Sequence, residues 1–284
     1  MAREEECASK ENCSRESCEG CPSKNASPQS FQVPPHPTAH IHHVIGVVSG
    51  KGGVGKSLVT ASLASMMREQ GYTVGIMDAD ITGPSIPAMY GVSGPAMGND
   101  TGTYPVESEK GMRIMSINLL LEDEKAPVIW RGPVIAGVVK QFWSEVLWGD
   151  LDYLFVDMPP GTGDVPLTVF QSLPVEGIVI VTSPQELVKM IVTKAYNMAK
   201  MMNIPVLGIV ENYSYLICPD CGRKIEVFGK SRIDETAAEF GLPVLAKIPI
   251  DPKIAEAADA GKIEDLDFTL FSGAREVIEE KLPL

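Results

Sequence analysis

The residues best suited to chemistry lie in one glycine-rich stretch that ends in Lys56-Ser57. From Gly50 the sequence reads G-x-x-x-x-G-K-S. Glycines at this spacing let backbone N–H groups turn towards anionic oxygens, the lysine reaches the β- and γ-phosphates, and the serine hydroxyl binds Mg²⁺. The pattern predicts a phosphate-binding loop for ATP. We expect the nucleotide to contact Gly50, Lys51, Gly52, Gly53, Val54, Gly55, Lys56, Ser57 and Leu58.

The flanking segments favour this interpretation. An apolar, β-branched run, Val44–Val48, precedes the loop, and apolar residues recur three and four apart from Ser57 to Gln70. Gly71 then marks a helix end. A strand, a loop and a helix are the context that a phosphate-binding loop requires. The alternative, a glycine-rich turn that binds nothing, remains open at this point.

Two acidic segments follow other predicted strands. Asp157 ends the apolar run 151–156, and its carboxylate is suited to hold Mg²⁺ directly or through water, together with Ser57. Asp78 and Asp80 follow the predicted strand 72–77, where one carboxylate would orient water or contact Mg²⁺ through water. An ordinary turn rich in Asp, Gly and Pro is the alternative for this second segment.

The cysteines form two groups, and the first lies near the start of the chain. Residues 1–40 are polar and proline-rich near their end, which predicts a flexible tail ahead of a domain at 41–284. Four thiolates in this tail would complete one zinc site or one iron–sulfur cluster, or they bind nothing. The cysteines of this group are Cys7, Cys13, Cys18 and Cys21, and nearby histidines, expected to be a solvated lead-in, are His36, His40, His42 and His43.

Cys218 and Cys221 form the second group, in a Cys-Pro-x-Cys-Gly turn. Two thiolates are half of a stable zinc or cluster site. A symmetric dimer would bring two such pairs onto its two-fold axis. Alternatively, Cys18 and Cys21 would fold back and complete the site within one chain, or the turn is half of a structural zinc ribbon.

Composition limits the class of protein. The net charge is −13, which argues against a protein that coats nucleic acid. No apolar run is long enough to cross a membrane, the C-terminal helix is acidic, and the first residues lack an apolar signal core. We therefore expect a cytoplasmic protein that does not bind nucleic acid or associate stably with membranes. Helical and strand patterns alternate from residue 44 onwards, which predicts an α/β fold with one doubly wound, mostly parallel sheet.

These motifs together resemble known families. Lys51 matches the deviant Walker A signature K-G-G-x-G-K-[ST] of the MinD/ParA class of P-loop NTPases, and a lysine at that place implies a nucleotide-bridged homodimer. The full set looks like the Mrp/ApbC family of iron–sulfur cluster ATPases. The segments that carry this resemblance are residues 50–57, 78–87, 157–164, and 211–214 before Cys218-Pro219-Asp220-Cys221.

The resemblance implies both an activity and a set of roles. It implies a homodimer with a [4Fe-4S] cluster on Cys218 and Cys221 of both subunits, and slow ATP hydrolysis coupled to cluster handling. It also implies that the cluster is transferred to apoproteins and that assembly factors are further partners. Asp80 would help to place the attacking water. The other catalytic residues would be Lys51, Lys56 and Asp157. Near adenine the resemblance places Asn212, Pro249 and Asp251.

Two other hypotheses remain open from the sequence. One is a positioning ATPase of the MinD/ParA kind, which binds membrane or DNA; the acidic charge and the Cys218/Cys221 pair count against it. The other is a regulatory ATPase that zinc stabilises and that carries no cluster. The same thiolates serve zinc and iron, so metal analysis has to decide between this regulatory ATPase and the cluster carrier.

Overall fold

A computed structural model describes residues 32–121, 132–161, 163–184 and 188–284. Within these residues nine strands form one sheet, in the order β10-β9-β8-β1-β7-β2-β6-β5, with β11 paired to β9. Two further short strands, β3 and β4, form a separate hairpin. The strands are β1 His40–Ser49, β2 Val74–Asp78, β3 Gly98–Asn99, β4 Gly102–Thr103, β5 Val106–Glu107, β6 Arg113–Met115, β7 Asp150–Asp157, β8 Gly177–Thr182, β9 Val206–Ile217, β10 Lys224–Ile225 and β11 Val244–Pro249.

Helices cover both faces of the sheet. They are α1 Lys56–Glu69, α2 Ile86–Met89, α3 Gly132–Ser144, α4 Asp164–Ser172, α5 Val188–Met201, α6 Ile233–Phe240, α7 Pro252–Asp259 and α8 Ser272–Lys281. Short 3₁₀ turns lie at Ile117–Leu119, Ile263–Asp265 and Thr269–Phe271. No helix in the described ranges is long and apolar enough to cross a membrane.

The central strand β1 shows why the sheet has two cores. Val44 and Val48 belong to the core under α3, α4 and α5, whereas Ile45 and Val47 belong to the core under α1 and α8. Side chains alternate between the faces of a strand, so a continuous apolar run fits a strand that is covered on both sides. β1 pairs in parallel with β7 and with β8. The predicted doubly wound, mostly parallel sheet is confirmed.

The domain begins earlier than the sequence predicts. Residues 32–39, which the sequence assigns to the flexible tail, pack on the domain: Val33 N donates to Ser172 O at 2.8 Å and Trp143 Nε1 donates to Val33 O at 2.7 Å. The prediction of a solvated histidine lead-in is wrong for His36, which is buried with Nε2 3.1 Å from Thr101 O. It is also wrong for His43, whose side chain is 15% exposed, with Nδ1 lying 2.6 Å from Glu176 Oε2.

Four predictions for the later part of the chain are wrong or lie outside the described residues. Apolar residues at helical spacing predict that Met190 fills the core, but its side chain is 46% exposed because it lies on the outer face of α5. The apolar run 206–210 predicts a strand that ends at Val210, but β9 continues to Ile217, since its last residues pair with β10 in an antiparallel hairpin. The segment 183–186 predicts a capping box, of which residues 185 and 186 lie outside the described ranges, and Trp130, predicted to be a packing residue, also lies outside them.

Candidate functional site

A cavity of about 530 Å³ lies at the edge where β1, β2, β7 and β11 end, beside residues 212–213 of β9. Open α/β sheets bind their ligands at this edge. The lining combines small loop residues, charged side chains and an apolar wall from α7. It consists of Ser49, Gly52, Gly53, Gly55, Lys56, Ser57, Leu58, Asp80, Ser85, Met89, Pro160, Asn212, Tyr213, Pro249, Ile250, Asp251, Pro252, Ile254, Ala255 and Ala258.

The glycine-rich loop takes a backbone shape that favours glycine at two positions. Gly53 and Gly55 have φ angles of 77° and 78°, the left-handed region that favours glycine. A Cβ on Gly55 would also collide with the side-chain amide of Asn212, whose Nδ2 donates to Val54 O at 3.1 Å. The loop is therefore fixed against β9, and α1 begins at Lys56 directly behind it. A helix start behind such a loop is suited to bind phosphate.

Lys56 and Ser57, which line the cavity, form a polar cluster with Asp157. Lys56 Nζ lies 2.7 Å from Asp157 Oδ2, and Ser57 Oγ donates to the same oxygen at 2.5 Å. The Asp157 carboxylate is fully buried. One hydroxyl and one carboxylate side by side are hard oxygen donors, which fit Mg²⁺. The predicted Mg²⁺ ligands are thus brought together from positions 100 residues apart.

Thr60 is a member of this cluster that the sequence analysis missed. Its hydroxyl donates to Asp157 Oδ1 at 2.7 Å, so both oxygens of the carboxylate have a hydroxyl partner. Residues four apart lie on one face of a helix. The position of Thr60, four residues after Lys56 in the helix predicted from Ser57 onwards, was therefore a signal that it would face the same cluster.

The two aspartates after β2 have different surroundings. Asp80 lines the cavity with Oδ2 3.7 Å from Lys56 Nζ. Asp78 is fully buried and accepts hydrogen bonds from the backbone N–H groups of Ser85 and Ile86. Burial first, and the neighbouring Asp157 carboxylate second, raise the pKa of Asp78 to about 8. Asp78 therefore holds its own loop together, and Asp80 is the one that faces the ligand space.

A bulge in β9 turns two residues into the cavity. Glu211 pairs with Lys247 of β11, and Tyr215 pairs with Pro249. Between these two pairs β9 advances by four residues while β11 advances by two, so β9 bulges. Tyr213, within the bulge, has a φ angle of 59°, which is uncommon for a residue with a side chain. Bulges commonly redirect side chains at functional sites. This one places Asn212 and Tyr213 on the cavity wall, and Tyr213 is a second residue that the sequence analysis did not single out.

The adenine-side residues implied by the resemblance lie together on the same wall. Ile250 N donates to Tyr215 O at 2.6 Å, which fixes the turn that carries Pro249 and Asp251 against β9. Asp251 Oδ1 accepts from Lys253 N at 2.9 Å and caps α7. Both Pro249 and Asp251 line the cavity beside Asn212.

Gly50, Lys51 and Val54 are the loop residues that do not line the cavity. Val54 is buried and Lys51 is half-buried. Gly50 lies against Ile191 of α5, where a Cβ would collide with the isoleucine side chain. Gly50 therefore allows close packing of the loop on α5.

β9 continues from the cavity to the cysteines. The cysteine hairpin, residues 216–225, joins the end of β9 to β10, and Leu216 pairs with Ile225. Gly222 N donates to Cys218 O at 2.9 Å. Backbone hydrogen bonds from Cys221, and then from Asp220, lower the pKa of the Cys218 thiol. A turn that directs N–H groups at a sulfur favours the thiolate, which is the form that binds metal.

The hairpin supplies two sulfur ligands on the surface. Cys218 is half-buried and Cys221 is exposed, and both are free thiols. In the part of the chain that the structure describes, no group of three or more metal-ligating side chains is present. Soft thiolates suit zinc and iron–sulfur clusters. The hairpin therefore fits half of such a site, while Cys7, Cys13, Cys18 and Cys21 lie outside the described residues.

Comparison with known proteins identifies the family. Residues 40–279 match the family described as NUBPL iron-transfer P-loop NTPase. An iron-sulfur cluster carrier protein of Methanocaldococcus jannaschii is 46% identical over 253 residues, which cover 86% of this chain and 87% of that protein. A protein of the same description from Clostridium perfringens is 44% identical and covers 91% of this chain and 92% of its own length.

Solved structures agree with this result. A nucleotide-binding protein from Archaeoglobus fulgidus in complex with ADP aligns with a TM-score of 0.74 and 44% identity, over 81% of this chain and 92% of that one. The cell division ATPase MinD of Pyrococcus furiosus aligns with a TM-score of 0.60 at 22% identity, over 84% and 99% of the two chains, which shows a common fold. With its phosphate-binding loop, buried Lys56–Asp157 pair and parallel sheet, the chain belongs to the NUBPL iron-transfer family of P-loop NTPases.

Proposed function

We propose that this protein binds and hydrolyses ATP and carries a [4Fe-4S] cluster, which it transfers to iron–sulfur apoproteins. One observation carries the proposal: a single strand, β9, contributes Asn212 to the nucleotide-sized cavity and ends immediately before Cys218. The names of the relatives point the same way. A positioning ATPase needs no such pair of thiols at the end of this strand.

The nucleotide half of the proposal assigns a role to each polar group. The backbone N–H groups of the loop and the Lys56 ammonium bind the phosphates. Ser57 and Asp157 would hold Mg²⁺, which would neutralise the charge that develops on the phosphates. Asp80 faces the same space and orients the attacking water. The apolar wall from Pro249 and α7 takes the base, with Asn212 and Asp251 beside it.

A homodimer supplies a lysine from the partner subunit to each nucleotide and a second pair of thiolates to the cluster. Lys51, which does not line the cavity of its own subunit, reaches the nucleotide of the partner subunit in a symmetric homodimer. The same two-fold axis brings two cysteine hairpins together, so that four thiolates ligate one cluster. Hydrolysis is slow because it is coupled to the arrangement of the two subunits around the cluster.

The proposed compartment and partners follow from the same chemistry. Exposed free thiols persist in a reducing compartment, which supports the cytoplasm as the place of action. We propose apoproteins and assembly factors as partners, and neither nucleic acid nor membranes, because the net charge is −13 and α8 has an acidic surface. Pelleting with DNA or with anionic liposomes in the presence of ATP tests this part.

Anaerobic cluster reconstitution tests the carrier proposal. Iron and sulfide are counted per dimer and Mössbauer spectra are recorded for the wild type and for two matched variants of the full chain. In one variant Cys218 and Cys221 are replaced by serine. In the other, serine replaces Cys7, Cys13, Cys18 and Cys21.

The expected result is one [4Fe-4S] cluster per dimer that is lost in the first variant and kept in the second. Two clusters per dimer or more, with the additional iron lost in the second variant, would support a carrier with a further site. Zinc as the only retained metal, in the wild type and in both variants, would reject the carrier and favour the zinc-stabilised regulatory ATPase.

A further inference from the structure

Glu211 is a buried carboxylate that the nucleotide chemistry does not use. It is fully buried in β9, one residue before Asn212. Ser214 Oγ donates to its Oε2 at 2.6 Å, and Ser231 Oγ donates to its Oε1 at 2.7 Å. Burial of a carboxylate is costly unless its oxygens are hydrogen-bonded. The two serine hydroxyls therefore satisfy both oxygens of the carboxyl group, and Glu211 in turn fixes the positions of Ser214 and Ser231.

The Glu211–Ser231 hydrogen bond closes the segment that contains the cysteines. The pairing of β9 with β11 ends at Tyr215, whose carbonyl accepts from Ile250 N, and the chain returns to the domain at Ser231 just before α6. Residues 219–230, between these two points, are all exposed. The segment 216–230, which includes the cysteine hairpin, is consequently held at its two ends, and the Glu211–Ser231 hydrogen bond lies at the second of them.

The Glu211–Ser231 hydrogen bond lies beside the nucleotide cavity. Asn212 follows Glu211 directly and donates to Val54 of the phosphate-binding loop, and Tyr213 then takes the left-handed conformation of the bulge. Asn212 and Tyr213 both line the cavity, so Glu211 is one residue away from the wall that a ligand would contact. Ser231 donates to Glu211 and accepts from Ile233 N at 3.2 Å, so these hydrogen bonds connect that part of β9 with the end of the segment 216–230 and with the start of α6.

We propose that Glu211 and Ser231 are positioning residues that transmit nucleotide binding at Asn212 to the cysteine hairpin. The inference rests on the proposed function for the identity of the two sites and adds the path between them. With nucleotide bound, β9 is fixed at the bulge, the Glu211–Ser231 bond is held, and the hairpin presents Cys218 and Cys221 in one arrangement. Without nucleotide, the bulge and the closing bond fluctuate together.

Hydrogen–deuterium exchange of the full chain, with and without ADP, tests the path. The diagnostic amides are those of Cys218, which donates to Arg223 O, and Gly222, which donates to Cys218 O. Coupling between sites is typically about fivefold or more, and we expect ADP to slow exchange of these amides by about that factor in the wild type. Ser231→Ala should abolish the ADP effect at the hairpin, while ADP affinity and protection at Val54 stay as in the wild type.

Two further variants separate transmission from general destabilisation. Ser231→Thr keeps the hydroxyl and should keep the ADP effect. Ser144→Ala removes another half-buried serine hydroxyl, which donates to Lys140 O in α3, and should also leave the effect unchanged. Thermal midpoints of all three variants show whether loss of the effect follows loss of stability.

Several outcomes would overturn the path. One is a wild-type hairpin that ADP does not protect, and another is a Ser231→Ala hairpin that ADP protects normally. Loss of ADP affinity in Ser231→Ala would assign the hydroxyl to the integrity of the cavity itself. None of these measurements requires a cluster, so failure of the path is distinguished from failure of the carrier proposal, which reconstitution tests separately.

Discussion

The hydroxyl of Thr60 and the carboxylate of Asp157 form a 2.7 Å hydrogen bond between α1 and the end of β7. Lys56 Nζ and Ser57 Oγ occupy the other oxygen of the same carboxylate. Each of the three partners comes from the first turns of α1, so one buried aspartate orients the helix start that carries the phosphate-binding loop. The cluster therefore has a structural role in addition to its role towards Mg²⁺.

Thr60→Val should weaken the site without removing its charged members. Valine has the shape of threonine but leaves Asp157 Oδ1 without its hydroxyl, and loss of a hydrogen bond to a buried charged group costs about 1.5–3 kcal/mol. We expect the free energy of unfolding to fall by that amount in urea titrations and the Mg²⁺ dependence of ADP binding to change. Thr193→Val, which removes an exposed hydroxyl bonded within α5, should change stability by less than about 0.5 kcal/mol. Equal effects of the two variants would contradict the assignment.

The two left-handed glycines of the loop provide a matched pair. Gly53→Ala puts a Cβ into open space and should cost only the left-handed conformation, about 1–2 kcal/mol. Gly55→Ala has the same backbone conformation but also drives the Cβ into the Asn212 amide. We therefore expect a larger loss of stability and a loss of ADP affinity for Gly55→Ala, measured by thermal unfolding and calorimetry. If Gly53→Ala proved the more damaging, the Val54–Asn212 contact would not be the one that shapes the loop.

The proposed exchange of Lys51 between subunits predicts complementation. Lys56→Ala removes the cation that binds the phosphates within its own subunit and should lower ATP hydrolysis by about 100-fold or more. Lys51→Ala should lower hydrolysis as well but leave ADP binding close to that of the wild type.

An equal mixture of the two variants recovers activity if Lys51 acts across the dimer. Half of the random dimers are mixed, and each mixed dimer has one complete site, so hydrolysis should return to about a quarter of the wild-type rate. The check is a steady-state phosphate-release assay after the subunits have been mixed and re-equilibrated. A mixture no more active than the average of its two components would place Lys51 in its own subunit's site.

The turn around Cys218 predicts a pH-dependent reactivity in the metal-free protein. Backbone N–H groups lower the pKa of this thiol, so the thiolate persists to lower pH in the folded chain than in the unfolded one. The iodoacetamide reaction of Cys218, followed by mass spectrometry of its peptide, should therefore have a midpoint below that of the same peptide in urea. Unfolding should raise the midpoint to that of an ordinary cysteine. A folded midpoint equal to the unfolded one would show that the N–H groups do not act on the sulfur.

The sequence by itself determined the phosphate-binding loop, Asp157 and the α/β class. The reason is that these depend on short-range features: glycine spacing sets what the loop backbone allows, and apolar periodicity distinguishes β1 and β7 from α1. Local patterns of this kind remain readable without knowledge of the contacts. The alternation of strands and helices then leaves few ways to build the sheet.

Only the tertiary structure decided which side chains share one polar cluster. Thr60 meets Asp157, and Ser231 meets Glu211, through the register of strands and helices that lie far apart in the chain. The β9 bulge that aims Tyr213 at the cavity depends on its pairing with β11, which no local pattern specifies. The burial of His36 and the exposure of Met190 were missed for the same reason, since burial depends on what packs against a residue rather than on its type.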